Sequence, residues 1–406
     1  MLPDKKKQED TIEAEISHPV LRIVVASVFL VIAIGAITYG IMGLVNGDAG
    51  WNEIEVTGSD SDTSAMDFVF KYDVPRSFAG SEKSRITNAY NNAARRAYRI
   101  LSSEKTYEGV TNLHDVNENV NREIEIEPEL YELLLLFEKY GRRDCFLAPV
   151  FSQYEGIFRS FDDDEAALFD PFLNEEAAAF VDEVAGYARD ESKISLSFLG
   201  NNRVVLNVSD DYLEFAERNG IDILIDLYWM RNAFAADLIR SSMVDAGYTD
   251  GYLVSIDGFS VFLGETGEEK YSTVLRKREG TVVSDECVLL FSGPVAIVRY
   301  SDYTLYNGLN DYYYVYESGD IRNAYIDIDT GRSRCSVSEM IVFSDELGCG
   351  ELLLKTVSGY ISDKVIGTGG ADGYGYAYVA EDGQPVFCEE DGNGSVTMAL
   401  IEKSGY

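Results

Sequence analysis

The hydrophobic period of the chain changes at Asp226, and this change limits the local fold more than any other feature. Ile221, Ile223, Ile225 and Leu227 sit at alternate positions, the period of two of a strand with one buried face. From Met230 the apolar residues recur every four, through Phe234 and Leu238, and the run stops at Gly247, as a helix closed by a glycine does. The spacing then predicts strands over residues 252–256 and 260–263. The segment reads as a strand, a helix and a hairpin, with Asp226 at the handover from strand to helix. Such junctions hold anionic groups in α/β folds because the first N–H groups of the helix are free. Here the turn carries Tyr228 and Trp229 rather than glycines, and bulky side chains keep a phosphate away from backbone N–H groups.

At 406 residues, 46% hydrophobic and 26% charged, the chain has the size and composition to bury a full globular core. Its 34 basic against 70 acidic residues give a net charge of −36. That field repels phosphate backbones and anionic lipid, which argues against a nucleic-acid reader, and it suits solubility in a salty exterior. Residues 23–45 carry no charge, a run long enough to cross a bilayer. Lys5, Lys6, Lys7 and Arg22 precede it and the next basic residue is Lys71, so the positive-inside bias puts the N-terminus in the cytoplasm. The expected organisation is a cytoplasmic N-terminus (1–22), an uncleaved single-pass anchor in the cell membrane (23–45), a polar linker (46–66) and an extracytoplasmic domain (67–406). Cys145, Cys287, Cys335, Cys349 and Cys388 form no CxxC pair, and His18 and His114 are the only histidines. A disulfide framework, a zinc site and a histidine triad are therefore not expected.

A strand is predicted over 68–74, then a helix over 84–103 with Ile86, Tyr90, Ala93, Ala97, Ile100 and Leu101 as its buried stripe. Pro128 opens a second helix, with Leu130, Leu133, Leu134 and Phe137 facing inward. Between them, 111–127 reads as a loop and a short strand. Asp162, Asp163, Asp164 and Glu165 read as a solvated loop or a helix start, since four adjacent carboxylates cannot all face one cation. Residues 174–187 and 350–362 are predicted helices, 194–198 with 203–208 a hairpin, 281–290 and 295–300 strands, and 376–380 with 385–388 a closing hairpin. Tyr303, Tyr306, Tyr312, Tyr313, Tyr314 and Tyr316 crowd one stretch, which is either sheet packing or the sugar-binding surface of an acidic ectodomain.

From residue 68 to the C-terminus the order of segments resembles the FAD:protein FMN transferases, the ApbE family. TNLHDVN at Thr111 resembles that family's S-E-L-x-x-L-N region. FLAPVFSQYEG at Phe146 resembles F-D-x-T-V-G-P-L-x-x-L-W, with Leu147, Phe151 and Ser152 in place of the aspartate, glycine and proline. DLYWMRNAFAAD is similar to D-L-G-G-I-A-K-G-Y-A-x-D: Asp226, Leu227, Ala235 and Asp237 match, Tyr228 and Trp229 replace the glycine pair, and Asn232 replaces the lysine. YLVSIDG at Tyr252 resembles Y-L-V-x-I-G-G, with Asp257 for the first glycine and Gly258 for the second. Asp302 and Tyr303 match the end of T-S-G-D-Y, and Ile326, Asp327, Thr330 and Gly331 match H-I-I-D-P-R-T-G. GELLLKT at Gly350 resembles A-D-A-L-S-T-A, whose aspartate and threonine hold the metal; those positions are Glu351 and Lys355 here, with Thr356 one residue on.

The resemblance implies a mixed α/β (α+β), two-lobed ApbE-like domain that uses magnesium to move the FMN half of FAD onto a threonine or serine of an acceptor protein. It gives catalytic roles to Asp226, Asp257 and Asp327, cofactor binding to Asn232, Asp237, Gly258, Asp302 and Thr330, and metal ligation to Glu351 and Thr356. An ammonium at Lys355 opposes a bound cation, and Glu351 is one methylene longer than aspartate in an octahedral site. Three roles stay open. Either the site is degenerate and binding of a flavoprotein or other FMN-acceptor protein remains, or the chain is an active magnesium-dependent transferase with unusual residues, or it is an unrelated acidic ectodomain that binds sugar or protein. Asp226, Asp237, Asp327 and Thr330 read equally well as helix caps and turn formers.

Overall fold

The structure, a computed structural model, describes residues 49–55, 61–264, 271–303, 305, 312–362, 373–388 and 396–401. The predicted membrane span at 23–45 lies outside them; among the described residues no helix is long and apolar enough to cross a membrane. An eight-stranded sheet organises the rest, with its strands side by side in chain order: β1 (Gly50–Glu53), β2 (Phe68–Val74), β3 (Gly251–Ser255), β4 (Phe259–Phe262), β5 (Ala296–Ser301), β6 (Glu339–Ser344), β7 (Gly375–Val379) and β8 (Pro385–Cys388). Every neighbouring pair is antiparallel.

Both faces of this sheet are covered. Along β6, Met340 and Val342 join the larger core under the helices, while Ile341 and Phe343 join a second core. That second core lies under a three-stranded sheet of Tyr271–Glu279, Val282–Phe291 and Val396–Leu400. A strand buried on both sides reads as a continuous apolar run, which is why residues 340–343 show no alternation. On the helical side lie α1 (Ala79–Leu101), α2 (Arg231–Asp245) and α3 (Cys349–Tyr360), with α2 packed against α1, α3 and β4. The helix opened by Pro128, the helix Glu175–Arg189, and the hairpin Ile194–Gly200 with Arg203–Val208 all form as expected. The five cysteines are free, and Cys145, Cys287 and Cys349 are buried.

Three local expectations change. Gly50–Glu53 falls within the stretch expected to be a polar linker, yet it pairs with β2, Trp51 packs on Tyr252, and Ile54 is buried in the core. Residues 113–118 form a helix rather than a loop. Asn112 accepts from the Asp115 N–H while Asp115 accepts from the Asn112 N–H, a reciprocal cap that satisfies two of the free N–H groups at the helix start.

The third change matters most. Residues 221–227 form no strand, with a bend at Leu224, and Leu224, Ile225 and Leu227 are buried instead of every second residue. Among the described residues no strand pairs with them; a side chain and a distant carbonyl take that place. The Oδ1 of Asn117 accepts from the N–H groups of Leu224 (2.9 Å) and Ile225 (3.0 Å), and its Nδ2 donates to the Ile225 carbonyl (2.9 Å). The Asp226 N–H donates to the Cys145 carbonyl (2.9 Å). Buried backbone groups need partners, and here an amide and a distant carbonyl supply them. Asn117→Ala therefore leaves three buried backbone groups unpaired and should cost about 3–5 kcal/mol in urea unfolding, whereas Asn119→Ala, which loses one partly exposed bond to Asp115, should cost less than about 1 kcal/mol.

Candidate functional site

A cleft opens where the first turn of α2 meets the β3–β4 turn and the end of β5. Its polar lining is Asp67, Arg231, Asn232, Asp257 and Ser301, and Tyr303, Tyr312, Tyr313 and Tyr325 form an aromatic wall. The β3–β4 turn is held from within: the Ser255 hydroxyl donates to Asp257 (2.5 Å) and accepts from the Phe259 N–H (2.7 Å). Gly258 takes φ +106, and a Cβ there would stand 2.6 Å from the Arg299 carbonyl oxygen, so the turn admits only glycine.

Asn232 and Asp257, both replacements in the motifs above, meet in this cleft. The Asn232 Nδ2 donates to Asp257 (2.9 Å), while its buried Oδ1 has no hydrogen-bond partner among the described residues. Burial raises the Asp257 carboxyl, the Ser255 and Asn232 hydrogen bonds lower it and nearby Asp67 raises it again, leaving it pushed up to about 7. Arg231 stands beside them with its guanidinium over the Tyr98 ring (5.8 Å) and, among the described residues, no hydrogen-bond partner for its Nε. Asp226 lies outside the lining. Burial raises its carboxyl, against a hydrogen bond to Ser103, the Arg231 charge and the N–H groups of Leu227 and Tyr228. Those last contacts are the ones a helix-start cap makes.

The other residues singled out by the motifs lie elsewhere. Asp237 caps α3, accepting from the N–H groups of Cys349 and Gly350 (2.8 Å each), and burial pushes its carboxyl up to about 6. Asp302 adjoins the cleft, but its carboxylate turns away into a two-bond pair with Arg278 (2.9 and 2.6 Å). Asp327 and Thr330 shape the turn before Gly331: the Thr330 and Gly331 N–H groups donate to the Asp327 carbonyl, and Arg334 contacts its carboxylate (3.2 Å). Glu351 accepts from Lys139 Nζ (2.5 Å) and the Tyr140 hydroxyl (2.7 Å). Burial pushes the Glu351 carboxyl up, but those two bonds and the Lys139 charge outweigh it and hold it below the usual range. The Thr356 hydroxyl lies in the core, donating to the Leu352 carbonyl (2.7 Å) and 2.9 Å from the Tyr300 hydroxyl. Five residues apart on a helix is about 140° around the axis, so Glu351 and Thr356 do not share a face.

At the turn before α2, Tyr228 keeps a left-handed backbone, φ +43, the conformation a glycine would adopt freely. Its ring stacks on Phe151 (5.2 Å between centroids) and meets Tyr312 edge-on (5.3 Å). Trp229 meets Tyr325 in the same way (4.9 Å). Sequence reasoning missed Asp67, Arg231, Ser301 and Tyr325. The tyrosine-rich stretch was the available signal for the aromatic wall, and nothing marks Asp67, which lies far from the motifs.

Two outcomes follow from this geometry. Tyr228→Gly loses the ring contacts but relieves the backbone, whereas Tyr228→Ala loses them and keeps the strain. Both should destabilise, the alanine variant by about 1 kcal/mol more than the glycine variant in thermal unfolding. The raised Asp257 carboxyl contributes stability that is fully present below its unfolded value of about 3.9 and lost as pH rises through about 7. The stability advantage of the wild type over Asp257→Asn should therefore shrink between about pH 4 and pH 8 in urea titrations. A difference independent of pH would show that this carboxyl is not raised.

No family model matches the chain, and no curated protein matches it. Solved structures do. The ApbE protein of Thermotoga maritima superposes with a TM-score of 0.52 at 16% identity, over 76% of this chain and 90% of that one. The flavin transferase ApbE of Vibrio cholerae superposes with a TM-score of 0.53 at 11% identity, over 79% and 93%. Identities this low speak for the fold alone: the chain has the mixed α/β fold seen in the ApbE flavin transferases.

Proposed function

We propose that this chain is an ApbE-like protein in which the flavin-transfer site has given way to binding, held at the outer face of the cell membrane by the apolar run at 23–45. The observation that carries this reading is the separation of the metal-ligand positions. Glu351 is bonded to Lys139 and Tyr140, and Thr356 faces Tyr300 inside the core. Magnesium needs convergent oxygen ligands in near-octahedral geometry, and among the described residues no group of three or more His, Cys, Asp or Glu is placed to hold a metal. The residues present do not fit the ion. The aromatic pair Phe151 and Tyr228 supports the same reading, since both occupy positions where the motifs have glycine. The retained role is recognition of a partner, a flavoprotein or another FMN-acceptor protein.

One observation favours the active alternative. A cleft carboxyl near 7, as at Asp257, is suited to proton transfer at neutral pH. Under that reading FAD is the substrate and magnesium the cofactor, with Glu351 released from Lys139.

Titration of the purified full-length chain with FAD, with and without magnesium, separates the two by flavin fluorescence and released AMP. The expected result is weak FAD binding that magnesium does not change, and no AMP. Tight magnesium-dependent binding with AMP release, abolished by Glu351→Gln, would overturn the binding reading.

A further inference from the structure

Between Arg159 and Arg189 the chain carries nine carboxylates and no lysine or arginine. Within this acidic stretch four large apolar side chains face solvent: Phe161 at 96% exposure, Leu168 at 63%, Phe172 at 48% and Leu173 at 56%. Other exposed large apolar residues are spread along the described chain, mostly singly, whereas these four fall within 13 consecutive positions. Single exposed apolar residues need no explanation, but a concentration of them does.

The segment 161–173 that carries them is held in place. Asp162 accepts from the Glu165 N–H (2.9 Å) and Glu165 from the Phe161 N–H (2.8 Å), which caps the helix Asp163–Phe169 at both partners. Asp163 accepts from the Tyr314 hydroxyl (2.9 Å) and the Glu317 N–H (2.8 Å). Phe169 turns inward onto Gly156, so closely that a Cβ there would meet its ring at 2.6 Å. Phe172 lies over the Arg322 guanidinium (4.2 Å), which is itself paired with buried Asp170 (2.8 Å). The outward Leu168 and Phe161 are thus fixed by the inward contacts of their neighbours. A pre-organised face loses little entropy when it binds.

In the same stretch and just after it, Asp164, Glu175 and Glu176 are exposed and make no ion pair among the described residues. We propose that this face docks a cationic, amphipathic segment of a partner protein, with Phe161, Leu168, Phe172 and Leu173 covered by its apolar side and the carboxylates met by its lysines or arginines. The charge decides among occupants. A second copy brings another net charge of −36, and anionic lipid is repelled for the same reason. The inference does not depend on whether the cleft reacts, although Tyr314 ties the face to the strand Tyr313–Val315, whose Tyr313 lines the cleft.

The probe is a synthetic helical peptide of lysine and leucine with its leucines on one face, titrated into the full-length chain in detergent and followed by anisotropy. A scrambled peptide of identical composition serves as the control. Phe161→Ser with Leu168→Ser should weaken the amphipathic peptide at least tenfold and leave the scrambled one unchanged. Asp164→Asn with Glu175→Gln and Glu176→Gln should weaken it at low salt and flatten its salt dependence. Because all five positions are exposed, circular dichroism and melting temperature should stay at wild-type values. Equal binding of both peptides, or no effect of the apolar pair, would reduce the contact to general charge attraction and overturn the proposal. Self-association, or flotation with uncharged phosphatidylcholine vesicles, that the apolar pair abolishes while peptide binding is unaffected would assign the face to another occupant and overturn it as well.

Discussion

One buried amide does the work of a missing strand. Asn117 satisfies both hydrogen-bonding ends of Ile225 and the N–H of Leu224, and through them it sets the course of the chain into α2. The first turn of α2 carries Arg231 and Asn232 into the cleft, so their direction depends on that amide. Further along the same helix, Asp237 accepts from two N–H groups of α3. The helix is held at its entry by an amide and at its middle by a carboxylate, both bonded to backbone. Such bonds are strong inside a protein because no water competes, and costly to lose for the same reason.

Four of the departures from the flavin-transferase motifs form two pairs that touch. Asn232 stands where the motif has lysine and Asp257 where it has glycine, and the two are hydrogen-bonded. Phe151 and Tyr228 each stand in place of glycine, and their rings stack. A side chain added at a glycine position needs somewhere to go, and in each pair the second replacement provides it. The backbone at Tyr228 still has the left-handed conformation suited to glycine, so the framework persists while its filling differs. The ring contacts outweigh the strain of that conformation, which is of the order of 1–2 kcal/mol.

Much of the fold is legible in the sequence. The buried stripe of α1, the proline that opens the helix Pro128–Lys139, and the hairpin over residues 199–202 follow from periodicity and turn chemistry, because each is settled by residues close together in the chain. The helix over 113–118 was missed as a loop, although Asn112 and Asp115 have the spacing of a reciprocal cap. The candidate site was legible only in part. The structure brings Asn232 and Asp257, both named from the motifs, into one cleft, but motif order gives no warning that Glu351 is bonded to Lys139 or that Thr356 faces Tyr300.

Sequence alone therefore determined where helices and hairpins form, the acidic surface and the order of segments that the ApbE fold requires. Those properties depend on local spacing and composition. Tertiary structure decided that residues 221–227 would not be a strand, since a ladder needs a neighbouring strand and, among the described residues, the Asn117 side chain and the Cys145 carbonyl stand in its place. It decided that Asp237 caps a helix more than a hundred positions later, and that two oxygen-bearing residues on α3 look in different directions. A residue type states which bonds it can make. Only the folded chain supplies the partner that takes them.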